Sequence, residues 1–131
     1  MPHHFEFDSE HKILRMVLKG DMEAEEFLGL HSEIRALVGR LHPLAGIADC
    51  ASIENFKVTS QTLRTAALQG SPYSPTTPRY IVAPSDHLFG LARMYELVGD
   101  AGKGKLEVVR TLEQALADLG VADARFEKVN Q

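Results

Sequence analysis

Short apolar runs alternate with longer stretches of helical periodicity along nearly the whole chain. That alternation limits the fold more than any single motif does. Strands separated by helices pair in parallel, through crossovers that lay the helices on the sheet faces. Phe5 and Phe7 alternate with polar neighbours, as in a half-buried strand. Asp8-Ser9-Glu10-His11 is a polar turn. Ile13 to Leu18 is a near-continuous apolar run, suited to a strand covered on both faces. The two strands form a hairpin. Gly20-Asp21 closes it, and Asp21 is placed to cap the helix that comes next. Glu23, Glu25 and Glu26 suit the positive end of that helix. Phe27, Leu30, Ile34, Leu37 and Leu41 share its inward face, and His42-Pro43 stops it.

The pattern then repeats with shorter pieces. Ala45 to Cys50 is a buried strand, and Ser52 to Val58 reads as a loop holding two apolar residues, Ile53 and Phe56. Thr59 or Ser60 caps a second helix with Leu63, Ala66 and Ala67 inward. A proline-rich connector, Ser71 to Pro78, leads to a strand over Tyr80 to Ala83. Ser85 or Asp86 caps a third helix with Leu88, Leu91, Ala92, Tyr95 and Val98 on one face. Leu106 to Val109 is a last strand. Thr111-Leu112-Glu113-Gln114 is a capping box that opens a final helix, ended by Gly120. The expected fold class is α/β: a single mixed, mostly parallel five-stranded sheet with about four helices, ordered β-β-α-β-α-β-α-β-α. Residues 1–121 form the domain, and residues 122–131 are a tail without clear periodicity.

Composition narrows the function classes. A chain of 131 residues with 44% hydrophobic and 24% charged residues fits one globular domain. Its formal charge of -4 and scattered basic residues point away from nucleic acid. No apolar run is long enough for a membrane span. The N-terminus lacks the order of a signal peptide, and the single cysteine, Cys50, rules out a disulfide framework. The expected location is the cytoplasm. Any self-association is expected to be an isologous homodimer.

Catalytic and cofactor motifs are weak. The six histidines show no ligand spacing, so no metal site is expected, and no cofactor. Gly99 to Lys105 fits GxxxxGK, but Leu106 stands where Ser or Thr would bind magnesium, and the loop runs from helix into strand rather than the reverse. There is no GxSxG elbow, Cys50 lies inside a strand, and the adjacent Ser85, Asp86 and His87 cannot form a triad. The chain is expected not to be an enzyme.

Three stretches carry a family resemblance. They are Phe5-Glu6-Phe7-Asp8 leading to Ile13-Leu14, Gly46-Ile47-Ala48-Asp49 followed by Phe56-Lys57-Val58-Thr59-Ser60, and Ile81-Val82-Ala83-Pro84 through Phe89 to Glu96. Over roughly Phe5 to Val121 the chain resembles the bacterial SpoIIAA-like (STAS-like) proteins, relatives of anti-sigma-factor antagonists. The resemblance implies a regulatory, protein-binding domain. In anti-sigma-factor antagonists a Ser or Thr at a helix start, in Asp-Ser-Ser/Thr-Gly, is phosphorylated. Here Thr59 and Ser60 fall near that position, after Val58 instead of Asp and before Gln61 and Thr62 instead of Gly. Thr59 and Ser60 are therefore read either as helix caps or as phosphorylation candidates, with Ser52 a further candidate. Ile53 and Phe56 either cover the sheet or bind a protein partner.

SpoIIAA-like proteins are also compared with the lipid-carrying CRAL-TRIO fold, which implies an alternative function. On that reading the chain is a carrier or sensor of a small apolar or acidic, lipid-like ligand. The pocket would lie between sheet and helices near His87, Phe89, Arg93 and Tyr95, with Arg93 neutralising an acidic head group. Arg93 has a simpler role open to it, an ion pair with Glu96 three residues on.

Overall fold

The computed structural model describes residues 3–99 and 105–129. Gly99-Asp100-Ala101-Gly102-Lys103-Gly104-Lys105, the stretch matching GxxxxGK, lies for the most part outside the described residues. The element order is β1 (His3–Asp8), β2 (Ile13–Met22), α1 (Ala24–Leu41), β3 (Ala45–Phe56), α2 (Ser60–Leu68), β4 (Arg79–Val82), α3 (Asp86–Gly99), β5 (Leu106–Val109), α4 (Leu112–Leu119) and β6 (Glu127–Lys128). The sheet order is β5-β4-β3-β2-β1-β6. β2 to β5 are mutually parallel, and β1 and β6 run antiparallel to their neighbours. The chain is a mixed, mostly parallel α/β fold.

The alternation of side chains along each strand separates two cores. Ile13, Ala45, Ile47, Tyr80, Val82 and Val109 point to one face, where Ala115, fully buried, seats α4. Leu14, Met16 and Leu18 point to the other face and meet Leu30, Ile34 and Leu37 of α1. α2 and α3 pack on each other, and their inward residues line a cavity on the same side as α1. α1 is fastened to β1 by His3, which is buried and whose ring nitrogens engage Glu26 and Glu33.

Four sequence expectations need correction. β2 and β3 are longer than the apolar runs suggest: Ser52, Ile53 and Phe56 lie on β3, not in a loop. The reason is pairing, because Lys19, Gly20, Asp21 and Met22 continue β2 beside Ser52, Ile53, Asn55 and Phe56 through register shifts. Gly20, at φ +67°, takes the left-handed conformation that such an irregularity requires. Asp21 does not cap α1. It accepts a hydrogen bond from Asn55 at 2.8 Å and pairs with Lys57 at 3.3 Å. The N-cap is Glu23, without a side-chain cap bond.

The fourth correction concerns the tail. The sheet has six strands, not five, because Glu127 and Lys128 pair with Phe7 and Glu6. The Asp8 carboxylate organises this corner. It accepts from the backbone N–H of Glu10 (2.9 Å), His11 (3.0 Å) and Arg125 (2.9 Å), and from the His11 ring (3.0 Å). Burial alone would raise this carboxyl. The His11 and Arg125 N–H donors and the His11 ring outweigh burial and hold it down at about 2.

The remaining caps agree with the sequence. Thr59 and Thr111 accept from the N–H of Thr62 and Gln114, each at 3.1 Å. Ser85 accepts from Leu88 N–H at 3.1 Å and opens α3.

Candidate functional site

A cavity of about 180 Å³ lies on the front face of the sheet, between α1 on one side and the α2–α3 pair on the other. Residue size creates it. The front-facing positions of β3 are Gly46, Ala48 and Cys50, three small residues in a row on the central strand. Beside them α2 offers Leu63, Ala66 and Ala67, and α3 offers Leu88, Leu91, Ala92 and Tyr95. A helix held off the sheet by large residues on β2, above a strand of small ones, leaves space over the small ones.

The walls are almost entirely apolar. Phe27 and Phe56 close one side edge-to-face, with ring centroids 5.7 Å apart. Across the opening, His31 Nε2 on α1 lies 3.1 Å from the carbonyl oxygen of Gly70, just past the end of α2. This contact ties the two walls together at the surface. Cys50 sits in the wall with its thiol pushed up to about 12 by burial and by the neighbouring Asp49 charge. It is a protonated, weakly polar lining group at neutral pH and not a nucleophile.

One end of the cavity carries polarity. Arg79 opens β4 and is 8% exposed. With Ile81 it occupies the front-facing alternation of its strand, while Tyr80 and Val82 face the back core. Arg79 pairs in register with Gly46. Tyr73, from the proline-rich connector, lies across that glycine: a Cβ at position 46 would stand 2.5 Å from Tyr73 Cζ and Oη. Only glycine admits the ring there. Burial raises the Tyr73 hydroxyl above its ordinary value, and the Arg79 charge opposes that rise. The proline-rich connector thus supplies the end wall of the cavity, through Ser71, Pro72 and Tyr73.

The residues singled out from the sequence scatter. Tyr95 lines the cavity, as do Ile53 and Phe56, which are half-buried against α1 rather than displayed. His87 is exposed in the first turn of α3. Phe89 lies under the Arg110 guanidinium, 4.0 Å from it, and Arg110 also reaches Asp86 (2.9 Å) and the Pro84 carbonyl (3.1 Å). Arg93 has a half-exposed side chain and pairs with Glu96 at 3.2 Å. Helical geometry explains the split. The stripe Leu88, Leu91, Ala92, Tyr95 faces inward, so positions 87, 89 and 93 face elsewhere. Thr59 is occupied as a cap, with its hydroxyl also donating to Thr62 Oγ1 at 3.0 Å, while Ser60 and Ser52 are exposed.

Sequence reasoning missed Gly46, Ala48, Tyr73 and Arg79. The available signal was a charged residue in the inward alternation of the short strand Arg79-Tyr80-Ile81-Val82. Among the described residues no three His, Cys, Asp or Glu side chains gather to hold a metal, and no helix is long and apolar enough to cross a membrane. The back of the sheet beyond α4 carries a charge network instead: Arg15 bonds Asp49 at 2.6 Å and Glu6 at 2.7 Å, beneath Phe126. Each carboxylate has a partner there, which suits a structural role. No protein-family model matches the chain, and no curated protein matches it significantly.

Proposed function

We propose that this chain binds and carries a small apolar molecule, without catalysis, in the cavity between α1 and the α2–α3 pair. One observation supports this reading above the others: an apolar cavity of about 180 Å³ over three consecutive small front-facing residues of the central strand. A dry cavity of roughly 150 Å³ is enough to take up benzene. Ligand sites for drug-sized molecules run from roughly 300 to 1,000 Å³. The size therefore fits a single short chain or ring and is too small for a two-chain lipid. Apolar burial supplies the affinity, at roughly 25 cal/mol per Å² removed from water.

Titration of the isotope-labelled protein with 1-octanol tests the reading by methyl NMR. Shifts should concentrate at Leu63, Ala66, Leu91 and Ala48. Unmoved methyls there, across octanol, benzene and other small apolar probes, would refute it.

A second reading, regulation through a protein partner, draws on Ser60. It is exposed at the first position of α2, while Thr59 is committed to the cap. A phosphate on Ser60 would add roughly -1.5 to -2 charge beside the helix N-terminus, which tolerates it. On this reading Ser60→Asp changes which proteins co-purify with the chain and leaves its melting temperature alone. An identical set of co-purifying proteins would remove the support.

A further inference from the structure

The cavity has a direction. Its floor is Gly46, Ala48 and Cys50, which follow one another along the front of β3. At roughly 3.3 Å per residue, the strand covers about 13 Å from Gly46 to Cys50. One wall runs the same way: α3 lines it from Leu88 through Leu91 to Tyr95, about two turns of helix. Aromatic rings stand at each end. Phe56, the last residue of β3, meets Phe27 at one end. Tyr73 lies over Gly46 at the other.

Tyr73 is fixed in that place. Its N–H donates to Ser71 Oγ at 3.1 Å, and the Gly46 N–H donates to the Pro78 carbonyl at 3.1 Å. These bonds hold the connector on both sides of the ring. Tyr73 also packs against the cluster of Phe5, Leu14 and Leu37 beneath α1. The ring therefore stands between a filled core and the open cavity. Glycine inside a strand weakens it and marks a place where another group approaches closely. Position 46 has no side chain of its own, and Tyr73 fills the end of the trough instead. A single side chain, brought in by the connector, decides where the trough stops.

We propose that the cavity selects an unbranched, single-chain apolar ligand lying along β3, and that Tyr73 sets its greatest length. This inference rests on the cavity reading above and adds the shape of the ligand. A floor one strand wide between two aromatic ends suits an extended chain better than a bulky ring of equal carbon number. Each methylene held inside raises affinity roughly fourfold. A methylene that would pass the Tyr73 ring gains nothing or must displace the ring.

The test is calorimetric titration of the full chain with straight 1-alkanols, from 1-hexanol to 1-decanol, and with cyclooctanol. In the wild type, affinity should rise roughly fourfold per methylene and level off before 1-decanol. Binding of 1-octanol should be at least about tenfold tighter than that of cyclooctanol, the scale of a poorly fitted methylene. In Tyr73→Ala the rise should continue through 1-decanol. A general loss of stability would lower every affinity together and leave the break where it was. A wild-type rise unbroken to 1-decanol, or a break at the same length in Tyr73→Ala, would overturn the length assignment and leave the cavity reading standing. Equal affinities for 1-octanol and cyclooctanol would overturn the unbranched shape. Binding of no alkanol would overturn the cavity reading itself. Should Tyr73→Ala fail to fold, Tyr73→Leu, which keeps apolar contact with the Phe5 cluster, carries the test. Its break should move to a longer chain, and a break at the wild-type length would count against the assignment.

Discussion

The two faces of this sheet use the same strands for opposite purposes. On the back, Ile13, Ile47, Val82 and Val109 fill the space under α4, and Ala115 is small enough to bring that helix down to full contact. On the front, the residues one step along β3 are Gly46, Ala48 and Cys50, and the helices above stand apart as α1 and the α2–α3 pair. The back maximises contact and the front leaves a lined cavity. A one-residue alternation along β3 therefore separates a filled core from a face that, beside its own core under α1, leaves room for a ligand.

Substitutions on the back should be costly and leave binding untouched. Ile13 is 1% exposed in the α4 core and away from the cavity. Ile13→Ala should lower stability by about 2–5 kcal/mol in urea denaturation, with octanol affinity unchanged once the protein is folded. A comparable loss of binding would show that the two faces are not separable.

Acid should act on the hairpin corner where Asp8 joins the β1–β2 turn to the C-terminal segment. The Asp8 carboxyl lies at about 2 in the folded chain against an ordinary value of 3.8. The folded state thus favours its charged form. Its stabilisation is present above pH 3.8 and is lost as pH falls through about 2. The expected loss is about 2 kcal/mol, and Asp8→Asn should remove most of this dependence. An acid transition of the same size in Asp8→Asn would place the sensitivity elsewhere.

Local patterns were legible in the sequence, and features set by strand pairing or by empty space were not. Cap residues and apolar stripes are local patterns: Thr59, Ser85 and Thr111 cap the helices as their positions suggest, and Tyr95 lies on the inward stripe of α3. Features set by pairing escape such reading. Ser52 to Phe56 alternates weakly enough to resemble a loop, and it becomes strand only because Lys19 to Met22 extends beside it. The two-residue β6 depends on Arg125 N–H reaching Asp8 and on Val129 N–H reaching the Phe5 carbonyl, contacts between opposite ends of the chain. A cavity has no pattern of its own. Gly46, Ala48 and Cys50 read simply as a buried strand until the helices above them are placed. Tyr73 and Arg79 gain meaning only when the connector folds over Gly46.

The most direct test of the account is calorimetric titration of 1-octanol into Ala48→Leu beside the wild type. Ala48 faces the cavity from the middle of β3. Leucine there should occupy the space a ligand would take, leaving stability equal to wild type or raised by about 0.5–2 kcal/mol. Octanol binding should fall at least about tenfold, or one decade in Kd for each 1.4 kcal/mol of lost contact. Unchanged octanol affinity in a folded Ala48→Leu protein would contradict the claim that this cavity is the binding site.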